Sequence, residues 1–139
     1  MSQWTHVAGC IRIDGLLALG IEPDLSCLGR VVTWDDLDGD ADPLGLPMGS
    51  EGSLRFEVLR NPDPGQMAAF TVPVWGDLRD YDDVDEIEAW FRKVVVESGL
   101  MIRDAVLSVE VEFARRYVLT TVLDKDGRCL GVKRFEQGG

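Results

Sequence analysis

A chain of 139 residues, of which 45% are hydrophobic and 28% charged, has the size and composition of one globular domain and excludes wholesale disorder. Its 25 acidic residues outnumber 14 basic ones, and the formal net charge of -11 disfavours general binding to a phosphate backbone. The longest apolar runs are far shorter than the roughly 20 residues of a membrane span. We therefore expect contact with neither a membrane nor nucleic acid.

The N-terminal sequence and the cysteines indicate the compartment. No basic stretch followed by an apolar one opens the chain, so no secretory signal is visible. The cysteines are odd in number, widely spaced and lack a Cys-x-x-Cys pair: Cys10, Cys27 and Cys129. We predict free, buried thiols in a cytoplasmic protein, with neither a metal site nor a cofactor.

The first predicted elements are a strand and a short helix. Alternating apolar residues predict a strand over residues 7–13. Beyond it the pattern is ambiguous. Asp24 is placed to cap a short helix whose apolar side would carry Leu25, Leu28 and Val32. Gly15, Gly20 and Gly29 interrupt any longer helix.

Residues 33–47 are acidic and rich in turn-forming residues, which predicts an exposed loop. Three closely spaced aspartates resemble the opening of a calcium loop: Asp36, Asp38 and Asp40. However, Ala41 stands where that loop requires glycine, and Pro47 stands where it requires glutamate. A solvated acidic loop is the better interpretation.

Two alternating segments, residues 54–60 and 69–75, predict a hairpin joined by the Pro- and Gly-rich turn at residues 61–65. Pro73 cannot donate a hydrogen bond to a neighbouring strand. We therefore expect the second strand to lie at a sheet edge or to be bulged at Pro73.

The clearest helix covers residues 84–98, where apolar residues recur at helical spacing: Val84, Ile87, Trp90 or Phe91, Val94 and Val95. Asp83 and Glu86 have the spacing of a capping box at its start. Gly99 is placed to end it. We predict that these apolar residues form one buried stripe.

Three more strands are predicted, over residues 105–113, 117–123 and 129–135, with the last two forming a hairpin around residues 124–127. The element order β, short α, β, β, α, β, β, β indicates an α+β class, with an antiparallel or mixed sheet and one long and one short helix on one face. We expect a ferredoxin-like or related sandwich, formed by residues 1–139 as a single domain.

Two loops and one histidine are candidates for a binding site. The segment 49–53 offers backbone amides and hydroxyls that suit an anion, although a strand-opening turn also explains its glycines. The segment 76–81 offers a guanidinium and a phenol, although an Arg-Asp network that fixes the loop is the alternative. The candidate ligand-binding residues are His6, Ser50, Glu51, Ser53, Arg55, Asp77, Arg79 and Tyr81.

Three short motifs support a resemblance: Trp4-Thr5-His6-Val7, Gly49-Ser50-Glu51-Gly52-Ser53 and Gly76-Asp77-Leu78-Arg79-Asp80. With them, the chain resembles small accessory proteins of tailed phages and prophages. The resemblance implies a protein directed at host machinery, including immune systems that signal through nucleotides, and it implies no catalytic residues.

Three functional hypotheses follow. The first is a phage accessory protein in the host cytoplasm that acts by binding, as an oligomeric sponge for a nucleotide-like immune signal. The second is an acidic inhibitor that imitates nucleic acid and binds a host defence protein, which the net charge of -11 favours. The third is a small hydrolase using His6 or the pair Asp77 and Asp80.

Overall fold

Seven strands form one antiparallel sheet in the part of the chain that the structure, a computed structural model, describes: residues 2–15, 23–29, 45–62 and 68–137. They are β1 (Trp4–Asp14), β2 (Arg55–Phe56), β3 (Leu59–Arg60), β4 (Ala68–Arg79), β5 (Ile102–Val111), β6 (Arg116–Leu123) and β7 (Cys129–Gln137). Their order across the sheet is β2-β4-β1-β5-β6-β7, and β3 also pairs with β4. The first strand of the chain thus lies inside the sheet.

Some sequence predictions fall outside the described ranges. They are the continuation of the short helix to Val32, the acidic loop up to residue 44 with its calcium-like aspartates, and the end of the turn at residues 61–65.

One helix links the two strands that flank β1. α1 (Val84–Arg92) continues into a π-helical turn, Lys93–Glu97, and connects β4 to β5. Because β4 and β5 both run antiparallel to β1, they are parallel to each other and need a crossover connection. The predicted α+β class is confirmed. The described residues contain one such crossover helix, where a ferredoxin-like fold has two.

The ends and the buried side of this helix follow the predicted signals. The Asp83 side chain accepts a hydrogen bond of 3.0 Å from the backbone amide of Glu86, and Gly99 follows the helix with a φ of 78°. The predicted apolar stripe is buried: Val84, Ile87, Trp90, Phe91, Val94 and Val95. No helix among the described residues combines the length and the apolar character that crossing a bilayer requires.

The core lies between this helix and one face of the sheet. Successive strand residues point to opposite faces, and the residues on the helix side of the inner strands are deeply buried. They include Ile11, Val72, Leu107, Val109 and Leu119. Each fully buried side chain of this size contributes roughly 1.5–3 kcal/mol, so this layer holds the helix on the sheet.

β4 is an inner strand, and its pairing has no register shift at Pro73, so both alternatives predicted for this strand, the edge position and the bulge, are wrong. β1 lies on one side of β4, and β2 and β3 lie on the other. The Pro73 carbonyl accepts a 3.2 Å hydrogen bond from the Glu57 amide, but its nitrogen has no hydrogen to return. The predicted strand over residues 54–60 is interrupted at this point and becomes β2 and β3. The neighbouring edge strand is therefore the one that accommodates the proline.

The predicted short helix is a single 3₁₀ turn, Ser26–Leu28. Asp24 accepts a hydrogen bond of 3.0 Å from the Ser26 amide, and Gly29 ends the turn with a φ of 93°. Leu28 is buried, and its carbonyl accepts a 2.9 Å hydrogen bond from the Trp90 indole. This contact holds the turn beside α1.

The three cysteines are free, and each is partly exposed rather than buried as predicted. Partial burial is still sufficient to raise the pKa of the Cys10 and Cys27 thiols, and burial is the largest cause of both shifts. A raised thiol pKa lowers the thiolate fraction at neutral pH, so these two side chains are weak nucleophiles.

The other side of the sheet carries no helix in the described part of the chain. On this side, the strand register places five residues in one row across β4, β1, β5, β6 and β7: Trp75, Ala8, Ser108, Val118 and Phe135. We call the surface around this row the open face. An antiparallel sheet that covers a core on one side usually has polar residues on the other side. The open face differs, because it carries aromatic side chains.

Candidate functional site

The eight predicted ligand-binding residues lie towards one corner of the sheet: His6, Ser50, Glu51, Ser53, Arg55, Asp77, Arg79 and Tyr81. The register of β1 with β4 sets His6 opposite Asp77. Residues 49–52 lie against the end of β4, where the Ser50 amide donates a 2.9 Å hydrogen bond to the Arg79 carbonyl. The fold thus brings together residues that are far apart in the sequence, and their role in binding stays a prediction.

The glycine-serine segment forms a tight turn on the end of β4. The Gly49 amide donates a 2.9 Å hydrogen bond to the Gly52 carbonyl, and the Ser50 amide is bound to β4. Gly52 has a φ of 74°, and a Cβ atom there would lie 1.9 Å from the Asp77 carbonyl oxygen. The glycines therefore allow a close approach to β4, and two of the amides that could hold an anion are already used.

Arg79 holds this turn through side chains of the same corner. Its Nη1 atom lies 2.7 Å from Glu51 Oε1, and its Nε atom donates to Ser2 Oγ at 2.9 Å. Asp80 Oδ2 is 3.9 Å from the same Nε atom and accepts a 2.9 Å hydrogen bond from the Ser50 hydroxyl. These contacts match the alternative interpretation of Arg79, in which the guanidinium group fixes the loop through neighbouring carboxylates.

Two other predicted residues are buried, and a third lies on the edge strand. Ser53 and Tyr81 are 6% and 8% exposed, and the Tyr81 hydroxyl donates a 2.8 Å hydrogen bond to Glu86. Burial, followed by this bond to a carboxylate, raises the pKa of Tyr81. Arg55 is exposed on β2, opposite Trp75 of the open face. Stacking of Tyr81 on a ligand would require it to leave the core.

His6 on β1 contacts one carboxylate on β4 and a second in the turn that follows β5. Its Nδ1 atom lies 2.6 Å from Asp77 Oδ1, and its Nε2 atom lies 3.1 Å from Glu112 Oε2. Both ring nitrogens can donate only when the imidazole is protonated. The hydrogen bond with Asp77, and then that with Glu112, raises the pKa of His6. Sequence reasoning missed Glu112, which falls within the strand predicted over residues 105–113 and was not among the candidate residues.

This arrangement predicts pH-dependent stability. A folded-state pKa raised above the unfolded value stabilises the fold below the unfolded pKa, and the contribution is lost as pH rises through the folded pKa. Since His6 is 39% exposed, solvent screening limits the effect. We expect His6→Gln to lower the free energy of unfolding by about 0.5–1 kcal/mol at about pH 5. At about pH 9 the variant should be as stable as the wild type.

Urea unfolding of both proteins at the two pH values measures this difference. The chain contains one histidine, so no other imidazole titrates in this range. Asp77→Asn is the matched variant, because it removes the carboxylate nearest to His6 and should lose most of the same pH-dependent part. An equal loss at both pH values would show that the His6 contacts do not depend on its charge.

A cavity lies farther along the same end of the sheet, at the turn between β5 and β6. Its volume is about 320 Å³, near the lower limit of small-molecule sites. It is lined by Glu110, Val111, Phe113, Ala114, Arg115, Arg116 and Gln137. The register places Glu110 beside His6 in the sheet, so this cavity and the predicted corner belong to one surface.

Phe113 is the most unusual residue of this turn. Its φ is 64°, a left-handed conformation that is rare for a bulky side chain, and its side chain is 82% exposed. The other hairpin turn places glycine, Gly127, at its positive φ of 83°. Phe113 is the last residue of the strand predicted over residues 105–113, but β5 ends at Val111. Strained residues cluster at functional sites, which marks this turn as a candidate.

Two guanidinium groups stand beside Phe113 in the cavity wall. Arg115 is paired with Glu136, and Arg116 Nη2 lies 2.8 Å from Glu110 Oε2. The arginine side chains are 60% and 52% exposed. Exposed ion pairs contribute little to stability, so both guanidinium groups can exchange a carboxylate for an anionic ligand at low cost.

No family model, curated protein or solved structure matches this chain.

Proposed function

We propose that this protein acts by binding a small anion that carries an aromatic ring, such as a nucleotide, in the cavity beside Phe113. The observation that carries the proposal is an exposed phenylalanine held in a strained conformation next to two guanidinium groups. An exposed aromatic ring can stack on a nucleobase, and a guanidinium group can bind two oxygens of one phosphate through two parallel hydrogen bonds. Binding of such a ligand would explain why the Phe113 ring is exposed and why the two guanidinium groups lie beside it.

The state of the candidate catalytic groups supports binding over hydrolysis. Both ring nitrogens of His6 contact carboxylates, so neither nitrogen is free to take a proton from a substrate or a water molecule. Asp77 is bound to His6, while Asp80 accepts a hydrogen bond from Ser50. The two aspartates thus serve different partners, and their contacts do not form an acid-base pair.

The resemblance to phage accessory proteins gives this proposal its biological setting. In that setting the protein would sequester a nucleotide signal of host defence in the host cytoplasm and release it unchanged. The setting rests on three short sequence motifs, so it is tested separately from the binding itself. Ligand recovered intact after heat denaturation would support sequestration, and conversion of the ligand would contradict it.

Calorimetric titration with AMP, ADP and cyclic AMP tests the binding site. Replacing Phe113 with Asn removes the ring and suits a positive φ, so stability should stay the same or rise by up to about 1 kcal/mol. Affinity should fall at least about tenfold, because stacking contributes roughly 1–3 kcal/mol per base. Arg116→Ala should weaken binding by a similar factor through loss of a phosphate contact.

Arg79→Ala is the matched control and also tests the predicted corner. If the ligand binds beside Phe113, this variant keeps the affinity of the wild type. A tenfold loss with Arg79→Ala and none with Phe113→Asn would move the site to the corner of the glycine-serine turn. Failure of all three nucleotides to bind at millimolar concentration would contradict the proposal.

The acidic inhibitor is the second candidate, and the start of α1 favours it. Five exposed carboxylates follow one another there: Asp80, Asp82, Asp83, Asp85 and Glu86. Together with the net charge of -11, they could imitate a phosphate backbone. The test is displacement of duplex DNA from purified host nucleases, with Asp82→Asn/Asp85→Asn as the variant. Inhibition that survives this charge removal would contradict the candidate.

A further inference from the structure

We infer that two copies of this chain associate face to face through the open face of the sheet. The inference goes beyond the proposed ligand site, because it concerns a different partner, although Glu110 and Arg116 of the ligand cavity lie at the border of the same face. It rests on the apolar content, the shape, the charge and the size of that face.

The open face exposes large apolar side chains on neighbouring strands. Trp75 on β4 is 42% exposed, Val106 on β5 is 44% exposed and Phe135 on β7 is 46% exposed. The register places Val106 beside Cys10, and Cys10 opposite Pro73, so apolar and weakly polar residues connect these positions. A contiguous patch of this kind marks an interaction surface in soluble proteins.

The shape of the patch suits a second copy of itself. In the row across the sheet, the large Trp75 is followed by the small Ala8 and Ser108 and then by Val118 and Phe135. A twofold axis parallel to the strands and passing over β1 sets β4 of one copy opposite β5 of the other. Trp75 of each copy then fills the hollow above Ser108 of the other, which is the interdigitation found between packed sheets.

The charges of the open face nearly cancel, unlike those of the whole chain. The charged residues directed to this side include five basic and five acidic ones: Arg12, Arg55, Arg79, Arg116 and Lys133, and Glu57, Asp77, Asp104, Glu110 and Glu112. The chain as a whole carries -11, which makes most approaches between two copies repulsive. A nearly neutral face lets a second copy approach, and it gives a strongly charged partner little attraction.

The size of the face is sufficient for a dimer of moderate affinity. The axis over β1 sets five strand positions of one copy against those of the other: β2 with β3, β4, β1, β5 and β6. At about 4.8 Å spacing, with about eight residues of about 3.3 Å each, they cover about 600 Å². Two copies would bury about 1,200 Å² in total, the lower limit for specific interfaces. We therefore expect a dimer that dissociates on dilution.

Light scattering coupled to size exclusion, over a concentration series into the high micromolar range, tests this inference. The measured mass of the wild type should rise with concentration from that of one chain to that of two chains. Ala8→Arg places a long charged side chain at the centre of the row, where Ala8 is exposed in the monomer, and should weaken association at least tenfold. Val106→Lys, at a second exposed position, should have the same effect if Ala8→Arg fails to fold.

Leu123→Arg is the matched control. Leu123 is 38% exposed but lies on the helix side of the sheet, four residues after the buried Leu119 of the same strand. This variant should dimerise like the wild type. A wild type that keeps the mass of one chain at the highest concentration would overturn the inference. A dimer that persists in both Ala8→Arg and Val106→Lys would overturn it as well, since another surface would then hold the copies together.

Discussion

Replacing Ile87 with Ala is expected to lower the free energy of unfolding by about 2–5 kcal/mol. The side chain is fully buried on α1, between the helix and the sheet, in the same core as Phe91 and Val94. Truncation removes three carbon atoms from this layer and leaves a cavity that the surrounding strands can close only in part. Guanidinium chloride unfolding measures the loss as a lower midpoint with an unchanged slope.

Two control variants separate cavity formation from a change in helix propensity. Ile87→Val should cost only about 0.5–1.5 kcal/mol, because it removes one methylene group from the same place. Ala89→Ser changes an exposed position of the same helix and should stay within about 0.5 kcal/mol of the wild type. A loss below about 0.5 kcal/mol for Ile87→Ala would show that the helix does not pack on the sheet as described.

The helix was predictable from the sequence because its signals are local. Asp83 and Glu86 meet within one turn, and Gly99 takes the positive φ that ends a helix. The spacing of the apolar residues shows which side of the helix faces the core. The π-helical turn Lys93–Glu97 was not predictable, since no residue type in it specifies a change of hydrogen-bond pattern.

The strands were predictable where side chains alternate, and their ends were less so. β4 continues through Gly76, Asp77 and Leu78 to Arg79, which the sequence analysis assigned to a loop. Leu78 is fully buried while Asp77 is exposed, so the alternation in fact continues there. The interruption opposite Pro73 required knowledge of which strands are neighbours, and the sequence alone does not contain it.

Strand order is also what assembles the candidate site. His6 contacts Asp77, 71 residues later, and Glu112, 106 residues later. Pairing over such separations depends on the competition among all strands for partners, which no local pattern reveals. The cavity at Phe113 was missed for a second reason. Apolar and polar residues alternate regularly as far as Phe113, which favours a strand up to that residue. Only the positive φ of Phe113 and the end of β5 at Val111 show that the strand has already ended.

Gly9 lies where the backbone of β5 leaves no room for a side chain on β1, and Gly9→Ala is expected to lower the free energy of unfolding by about 3 kcal/mol. A Cβ atom on Gly9 would lie 2.1 Å from the Val106 carbonyl oxygen and 2.8 Å from the Leu107 Cα atom. Both are backbone atoms of the paired strand, so relief requires the two strands to separate locally. Because β1 is an inner strand, such a shift also disturbs its pairing with β4.

Gly131→Ala is the matched control for Gly9→Ala, since Gly131 also lies within a strand but has no atom within 4 Å of the added methyl group. With free space, the substitution restricts the unfolded chain and should be neutral or stabilise the protein by up to about 1 kcal/mol. Guanidinium chloride unfolding of the two variants therefore compares the same chemical change at a crowded and an open position. If both variants matched the wild type within about 0.5 kcal/mol, β1 and β5 could not be as close at Gly9 as described. A loss confined to Gly9→Ala would mean that this glycine is required by backbone contact between inner strands and not by a turn.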